Sequence, residues 1–110
     1  MSFQRLGHEF QELRAEYRRG IPAKLDRLEA LWSLILKEIA DDERLKQLRR
    51  ELHTIAGSAG TFGLPHVGDA ARAAETCLGT AAGAASLDAA QRAEFARLLG
   101  ELKNASLPPG

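Results

Sequence analysis

The chain has 110 residues, which suits one domain with a single hydrophobic core and excludes two independent cores. Fifteen Lys and Arg side chains balance fifteen Asp and Glu, so a general nucleic-acid binder, which needs a basic surface, is not expected. No stretch approaches the roughly 18 apolar residues of a membrane span. With a single cysteine, Cys77, expected as a buried apolar residue, the composition is typical of a soluble cytoplasmic protein.

Abundant Ala, Leu, Arg and Glu, with few β-branched residues, predict an all-α fold. Apolar residues at spacings of three and four predict a first amphipathic helix over residues 2–18, which ends before Gly20 and Pro22. A second helix is expected from Pro22 to about Ala40. The apolar residues of these two helices are Phe3, Leu6, Phe10, Leu13 and Tyr17, then Leu25, Leu28, Leu31, Trp32, Ile35 and Ile39.

Asp41 and Asp42 are predicted to cap a third helix that continues to about Phe62, and Gly63 to stop it. A fourth helix is expected from Pro65, followed by a loop over residues 79–86. Ser86 then caps a fifth helix. The apolar faces of the three helices are Leu45, Leu48, Leu52, Ile55, Ala59 and Phe62; Val67, Ala70, Ala71, Ala74 and Leu78; and Leu87, Ala90, Phe95, Leu98, Leu99 and Leu102.

Short connections make neighbouring helices antiparallel, so the sequence predicts an antiparallel four-helix bundle with an additional N-terminal helix. This domain is expected over residues 1–104, with its core at about residues 22–103. Residues 105–110, which include Pro108-Pro109-Gly110, are expected to form a tail or the start of an interdomain linker.

The side chain of His53 is expected to face away from this core. A rotation of 100° per residue places it about 100° from the centre of the leucine seam of the third helix. The same side carries basic residues on the preceding turns and glycines on the following ones: Lys46, Arg49, Arg50, Gly57 and Gly60.

Glycine inside a helix costs about 1 kcal/mol relative to alanine, so glycines in an alanine-rich chain suggest that another group approaches the backbone near His53. A neutral imidazole nitrogen is nucleophilic near neutral pH, and basic side chains can compensate the charge of a phosphate. The pattern therefore suits a phosphoryl carrier. The alternative is a surface histidine beside a solvated basic turn, with glycines that permit tight helix packing.

The segment His53-Thr-Ile-Ala-Gly-Ser-Ala-Gly-Thr-Phe-Gly63 resembles the phosphoacceptor motif of histidine-containing phosphotransfer (HPt) domains. The leucine before the histidine and the downstream segment Ala70-Ala-Arg-Ala-Ala-Glu75 extend the resemblance, which covers about residues 8–103. It implies a four-helix bundle of a bacterial two-component phosphorelay, whose exposed histidine takes a phosphoryl group from a receiver-domain aspartate and passes it to another.

Applied to this chain, the resemblance implies that His53 is the phosphoacceptor and that Gly57 leaves room for the phosphoryl group. Glu75 matches the position of an acceptor for the imidazole N–H. Helix geometry supports that pairing independently, because the two residues lie about ten residues on either side of the expected turn. Many family members have a lysine three residues after the histidine, where this chain has Ala56. Positive charge would then come from the basic residues on the preceding turns or from the receiver.

The expected partner is a response-regulator receiver domain, in trans or in the same polypeptide, and a hybrid histidine kinase is a further candidate. We expect no cofactor, no nucleic-acid or membrane partner and no autonomous enzymatic activity, since the resemblance assigns the magnesium ion to the receiver. Scattered histidines give no metal-ligand spacing, and residues 57–63 lack the Gly-Lys-Ser/Thr ending of a nucleotide loop. The serious alternative is a degenerate bundle that serves only protein interaction or dimerisation.

Overall fold

The computed structural model describes residues 2–37, 42–79, 81 and 83–107, with side chains from residue 7 onward. These residues form four α-helices: α1 (Ser2–Lys37), α2 (Asp42–Ser58), α3 (Pro65–Gly79) and α4 (Ala89–Ser106). A short 3₁₀ turn, Ala84–Ser86, precedes α4. The described ranges contain no strand, which confirms the all-α prediction. None of the described helices combines the length and the apolar character needed to cross a membrane.

The helices pack around one core, in which α3 lies against both α2 and α4, and α1 covers α2 and α4. Long-range pairs join α1 to both neighbours. Arg27 bonds Glu51 of α2 at 2.9 Å, and Trp32 lies 4.5 Å from Phe95 of α4 between ring centroids. The predicted apolar faces form this core, with a few exceptions. Ala90 is exposed, Phe62 and Ala70 are half-buried, and the predicted position Ile39 lies outside the described residues.

The first helix differs from the prediction, because α1 continues without interruption through Gly20 and Pro22. The predicted additional N-terminal helix is the first half of α1. The buried side chains of Ile21 and Leu25 lie on either side of Pro22, so packing against the bundle continues across the proline. Pro22 itself is exposed, where water can satisfy the carbonyl that loses its helical donor.

The first half of α1 extends beyond the rest of the bundle. A helix of 36 residues is about 54 Å long, and the longest dimension of the molecule is 56 Å. Tyr17 anchors this half, since its ring stacks on Phe62 at 4.6 Å and its hydroxyl lies 2.7 Å from Ser58 Oγ. Phe10 and Leu13 are not buried, unlike the predicted stripe, although the Phe10 ring stacks on Phe62 at 6.4 Å. The side chains of Phe3 and Leu6 lie outside the described residues.

Several helix ends also differ from the prediction. The helix α2 ends at Ser58, four residues before Phe62, and turns follow until Gly63, whose φ of 82° belongs to the left-handed region. The N-cap of α4 is Asp88, which accepts from Gln91 N at 2.7 Å, and not Ser86, which lies in the 3₁₀ turn.

The predicted cap residues of α2 fall at the edge of the described chain. Asp42 begins α2, and its Oδ1 accepts from Ala84 N at 2.9 Å, which ties α2 to the 3₁₀ turn. Asp41 lies outside the described residues. At the other end of the chain, α4 continues to Ser106, two residues into the predicted tail, and residues 108–110 are not described.

Candidate functional site

His53 and Glu75 meet on the outer surface of the α2–α3 pair. Nδ1 of His53 lies 2.8 Å from Oε2 of Glu75. The imidazole side chain is 77% exposed, whereas the carboxylate side chain is only 29% exposed. A carboxylate in this position accepts a hydrogen bond from Nδ1–H and leaves Nε2 as the nitrogen with the free lone pair.

The antiparallel register of α2 and α3 produces this meeting. His53 lies opposite Glu75, and three residues further along α2 the carbonyl of Ala56 lies opposite Arg72, three residues earlier on α3. The buried face of α3 carries the small residues Gly68, Ala71 and Ala74, which lets its backbone approach α2 near Ala56. A Cβ on Gly68 would lie 3.5 Å from Gly60 N and 3.6 Å from Ala56 O. Close backbone approach therefore fixes the position of Glu75 along the helix axis relative to His53.

The two glycines predicted to clear space beside the histidine are both exposed. A Cβ at Gly57 or at Gly60 would meet no atom within 4 Å, so neither glycine is required by packing. Gly57 lies in the last turn of α2, one turn after His53. Gly60 lies in the turn after α2, outside the helix in which it was predicted.

Of the three predicted basic residues, Arg49 has a different role from the one expected. Its Nη2 donates to Leu78 O at 2.7 Å, its Nε donates to the same oxygen at 3.3 Å, and Nη2 also bonds Ala81 O. The guanidinium thus closes the carboxyl end of α3, where helix carbonyls lack partners. Lys46 and Arg50 are exposed on α2.

A further cation at the site was missed by the sequence analysis. Nη2 of Arg72 donates to Ala56 O at 3.2 Å, so a guanidinium from α3 reaches the turn that follows His53. Its side chain is 62% exposed, and its second partner, Asp69, is 3.6 Å away. Helical spacing supplied the signal, because Arg72 precedes Glu75 by three residues and therefore shares its face.

The site offers one nucleophilic nitrogen, one orienting carboxylate and exposed space beside them. Within the described ranges, no cluster of three or more His, Cys, Asp or Glu side chains could hold a metal ion. Cys77 takes no part, since its half-buried thiol faces Gln91 O at 3.8 Å on the α4 side of α3. Such an arrangement can carry a group covalently on the imidazole.

Comparison with known proteins agrees with this geometry. The family model for the Hpt domain matches residues 12–105, which include α2, α3, most of α1 and α4, and both partners of the histidine–glutamate pair. Searches of curated proteins and of solved structures gave no match. Because the match covers most of the chain, the protein belongs to the Hpt domain family.

Proposed function

We propose that the chain is a phosphocarrier of a two-component phosphorelay. In this proposal His53 accepts a phosphoryl group from a receiver-domain aspartate and passes it to another receiver, and the reverse transfer uses the same atoms. The observation that carries the proposal is the 2.8 Å contact of Nδ1 with Glu75 on an imidazole that is otherwise open to solvent. Membership of the Hpt domain family supports the same role.

The proposed transfer needs no proton to leave the chain. The Nε2 lone pair of His53 attacks phosphorus, and the bond from phosphorus to the aspartyl oxygen of the receiver breaks as the N–P bond forms. The aspartate leaves as a carboxylate. The imidazole keeps its Nδ1–H and gains positive charge, which the carboxylate of Glu75 stabilises.

The proposed docking surface surrounds His53. It includes Gly57, exposed one turn after the histidine, and Gly60, exposed in the turn that follows α2, with Lys46 and Arg50 on the preceding turns of α2. We expect the receiver to be a separate protein, such as a hybrid histidine kinase, or a domain of the same polypeptide, and the relay to operate in a bacterial cytoplasm. The chain contributes a covalent intermediate and no catalytic activity of its own. Its division into a domain over residues 1–104 and a tail stays a prediction.

Transfer from receivers charged with radiolabelled acetyl phosphate tests the proposal. We expect acid-labile label on the wild-type chain and none on His53→Gln. His8→Gln is the matched control, because His8 is also exposed and also contacts a glutamate, Glu12, at 3.0 Å. Label that persists in His53→Gln would contradict the assignment. Stable receiver binding without label would favour the module that serves only protein interaction.

Two substitutions of Glu75 test its orienting role. Glu75→Gln keeps an oxygen that accepts from Nδ1–H and should retain most of the transfer rate. Glu75→Ala removes the acceptor and should slow transfer about tenfold or more, as loss of an orienting partner does at other histidine sites. Nitrogen-15 NMR should show the proton of His53 shifting from Nδ1 toward Nε2 in Glu75→Ala. Equal rates and equal tautomer populations in the three proteins would remove this role.

A further inference from the structure

A phosphoryl group on His53 would bring close to two negative charges to the surface, beside an imidazole whose own positive charge is compensated by Glu75. A cation within reach of Nε2 would therefore stabilise the phosphoryl group. The helix α2 offers none on the turn that follows the histidine, because that turn carries the buried Ala56 and the exposed Gly57.

The cations that precede His53 on α2 are less suited to this task. Arg49 is held by the carbonyls of Leu78 and Ala81, and its withdrawal would leave the end of α3 without these donors. Lys46 lies two turns from His53, on the amino-terminal side. Arg50 lies one turn away on the same side, so neither borders the cleared surface at Gly57.

We propose that Arg72 is the phosphate-binding cation of this site, supplied from α3 in place of a basic residue at position 56. This inference rests on the proposed phosphorylation of His53. The register pairs Arg72 with Ala56 as it pairs Glu75 with His53, so the guanidinium lies about one helical turn from the imidazole, on the side of Gly57.

The contacts of Arg72 leave it available to a phosphoryl group. Its donor contact at 3.2 Å is to an uncharged carbonyl, and its carboxylate partner Asp69 is 3.6 Å away with 75% of the side chain exposed. Exposed pairs of this kind contribute about 0 to 1 kcal/mol. A phosphoryl group offers charged oxygens, two of which the planar guanidinium can bind through parallel hydrogen bonds. The arginine therefore exchanges weak partners for a stronger one when His53 carries phosphate.

Chemical phosphorylation tests this assignment without a receiver. Phosphoramidate is used to phosphorylate His53 in the full chain, with the exposed His8 and His66 replaced by glutamine in every protein compared. Phosphorus-31 NMR then follows the pH at which the phosphoryl group takes up its proton. A nearby cation favours the dianion, so this pKa should be lower in wild type than in Arg72→Ala, by about 0.5 at an exposed site. Arg72→Lys should retain much of the difference. Arg50→Ala, which removes the competing cation on α2, should have a smaller effect than Arg72→Ala. Arg19→Ala, the matched control, removes an exposed arginine of α1 beside the end of α4 and should behave as wild type.

A rescue variant separates electrostatics from structure. Adding Ala56→Lys to Arg72→Ala places a positive charge on α2, at the residue that Arg72 of α3 contacts in the wild type. The flexible lysine side chain can extend from this buried position to the surface. The phosphoryl pKa should fall again. Equal values in wild type and Arg72→Ala, or a shift in Arg50→Ala alone, would overturn the proposal. Receivers that fail to label the chain would refute the relay function, while the phosphoramidate readout would still decide the role of Arg72.

Discussion

Substitution of Gly57 by alanine separates the two explanations for a glycine beside His53. A Cβ at this position meets no atom within 4 Å, so the change introduces no clash. Glycine in a helix is less stable than alanine by about 0.5 to 1 kcal/mol. We therefore expect Gly57→Ala to raise the free energy of unfolding by this amount, which for a chain of this size raises Tm by about 2 to 5 °C.

We expect Gly57→Ala to slow phosphotransfer, although it stabilises the fold. A helical side chain covers the surface over the turn that precedes its own Cα, so a side chain at position 57 projects over His53. The methyl group of alanine should slow transfer from a phosphorylated receiver up to about tenfold, which corresponds to about 1.4 kcal/mol of activation free energy. Leucine at the same position covers more of the imidazole and should slow transfer further.

Single-turnover transfer and urea unfolding, measured on the same preparations, provide the assay. Gly100→Ala is the matched control, because Gly100 lies inside α4 and its Cβ would also meet open space. It should gain about 1 kcal/mol of stability and transfer phosphate at the wild-type rate. Transfer at the wild-type rate in Gly57→Leu would refute the proposal that Gly57 keeps His53 accessible. A loss of stability in Gly57→Ala would refute the conclusion that a Cβ at position 57 meets open space.

Three further predictions concern stability and ionisation. Arg49→Met should lower the unfolding free energy by about 1.5 to 3 kcal/mol, because it removes charged donors from the end of α3. The control, Arg50→Met, should change the unfolding free energy by less than about 0.5 kcal/mol. Equal effects of the two substitutions in urea unfolding would refute the capping role of Arg49. Pro22→Ala should stabilise the chain by about 1 to 3 kcal/mol, since Pro22 lies inside α1; no gain would favour the interrupted helix. Burial, with Glu94 nearby, raises the pKa of the Cys77 thiol. Alkylation by iodoacetamide at about pH 8.5 should therefore be slower in the folded than in the urea-unfolded chain. The protonated thiol favours the folded state, and this contribution to the unfolding free energy should be lost as pH rises through the folded pKa.

The core was predictable because each buried face is a local pattern. Leu45, Leu48, Leu52 and Ile55 follow the helical period, and all four are almost fully buried. Helix ends were predicted less well, since they depend on side chains that compete for the same backbone groups. Asp88 and Ser86 are both good N-caps by residue type. The structure uses Asp88, which accepts from Gln91 N while its own N–H donates to Gln91 Oε1, and so completes a capping box.

The break in the first helix was predicted wrongly because local propensity was overridden by packing. Gly20 and Pro22 are strong breakers in isolation. In the folded chain the buried side chains of Ile21 and Leu25 continue across them, and Tyr17 holds the preceding turns against the end of α2. These contacts join residues far apart in the sequence, so no local pattern contains them.

Some residues of the candidate site were predicted from the sequence and others were not. Helical projection identified the exposed face of His53, and the hairpin register identified Glu75, because both follow from distances counted along the chain. The role of Arg49 was missed, although the same register places it opposite the end of α3, where the carbonyls of Leu78 and Ala81 accept its bonds. Arg72 is the instructive case. Once Glu75 is paired with His53, the same antiparallel register requires Arg72 to face Ala56, so the cation opposite the alanine follows from one correct pair.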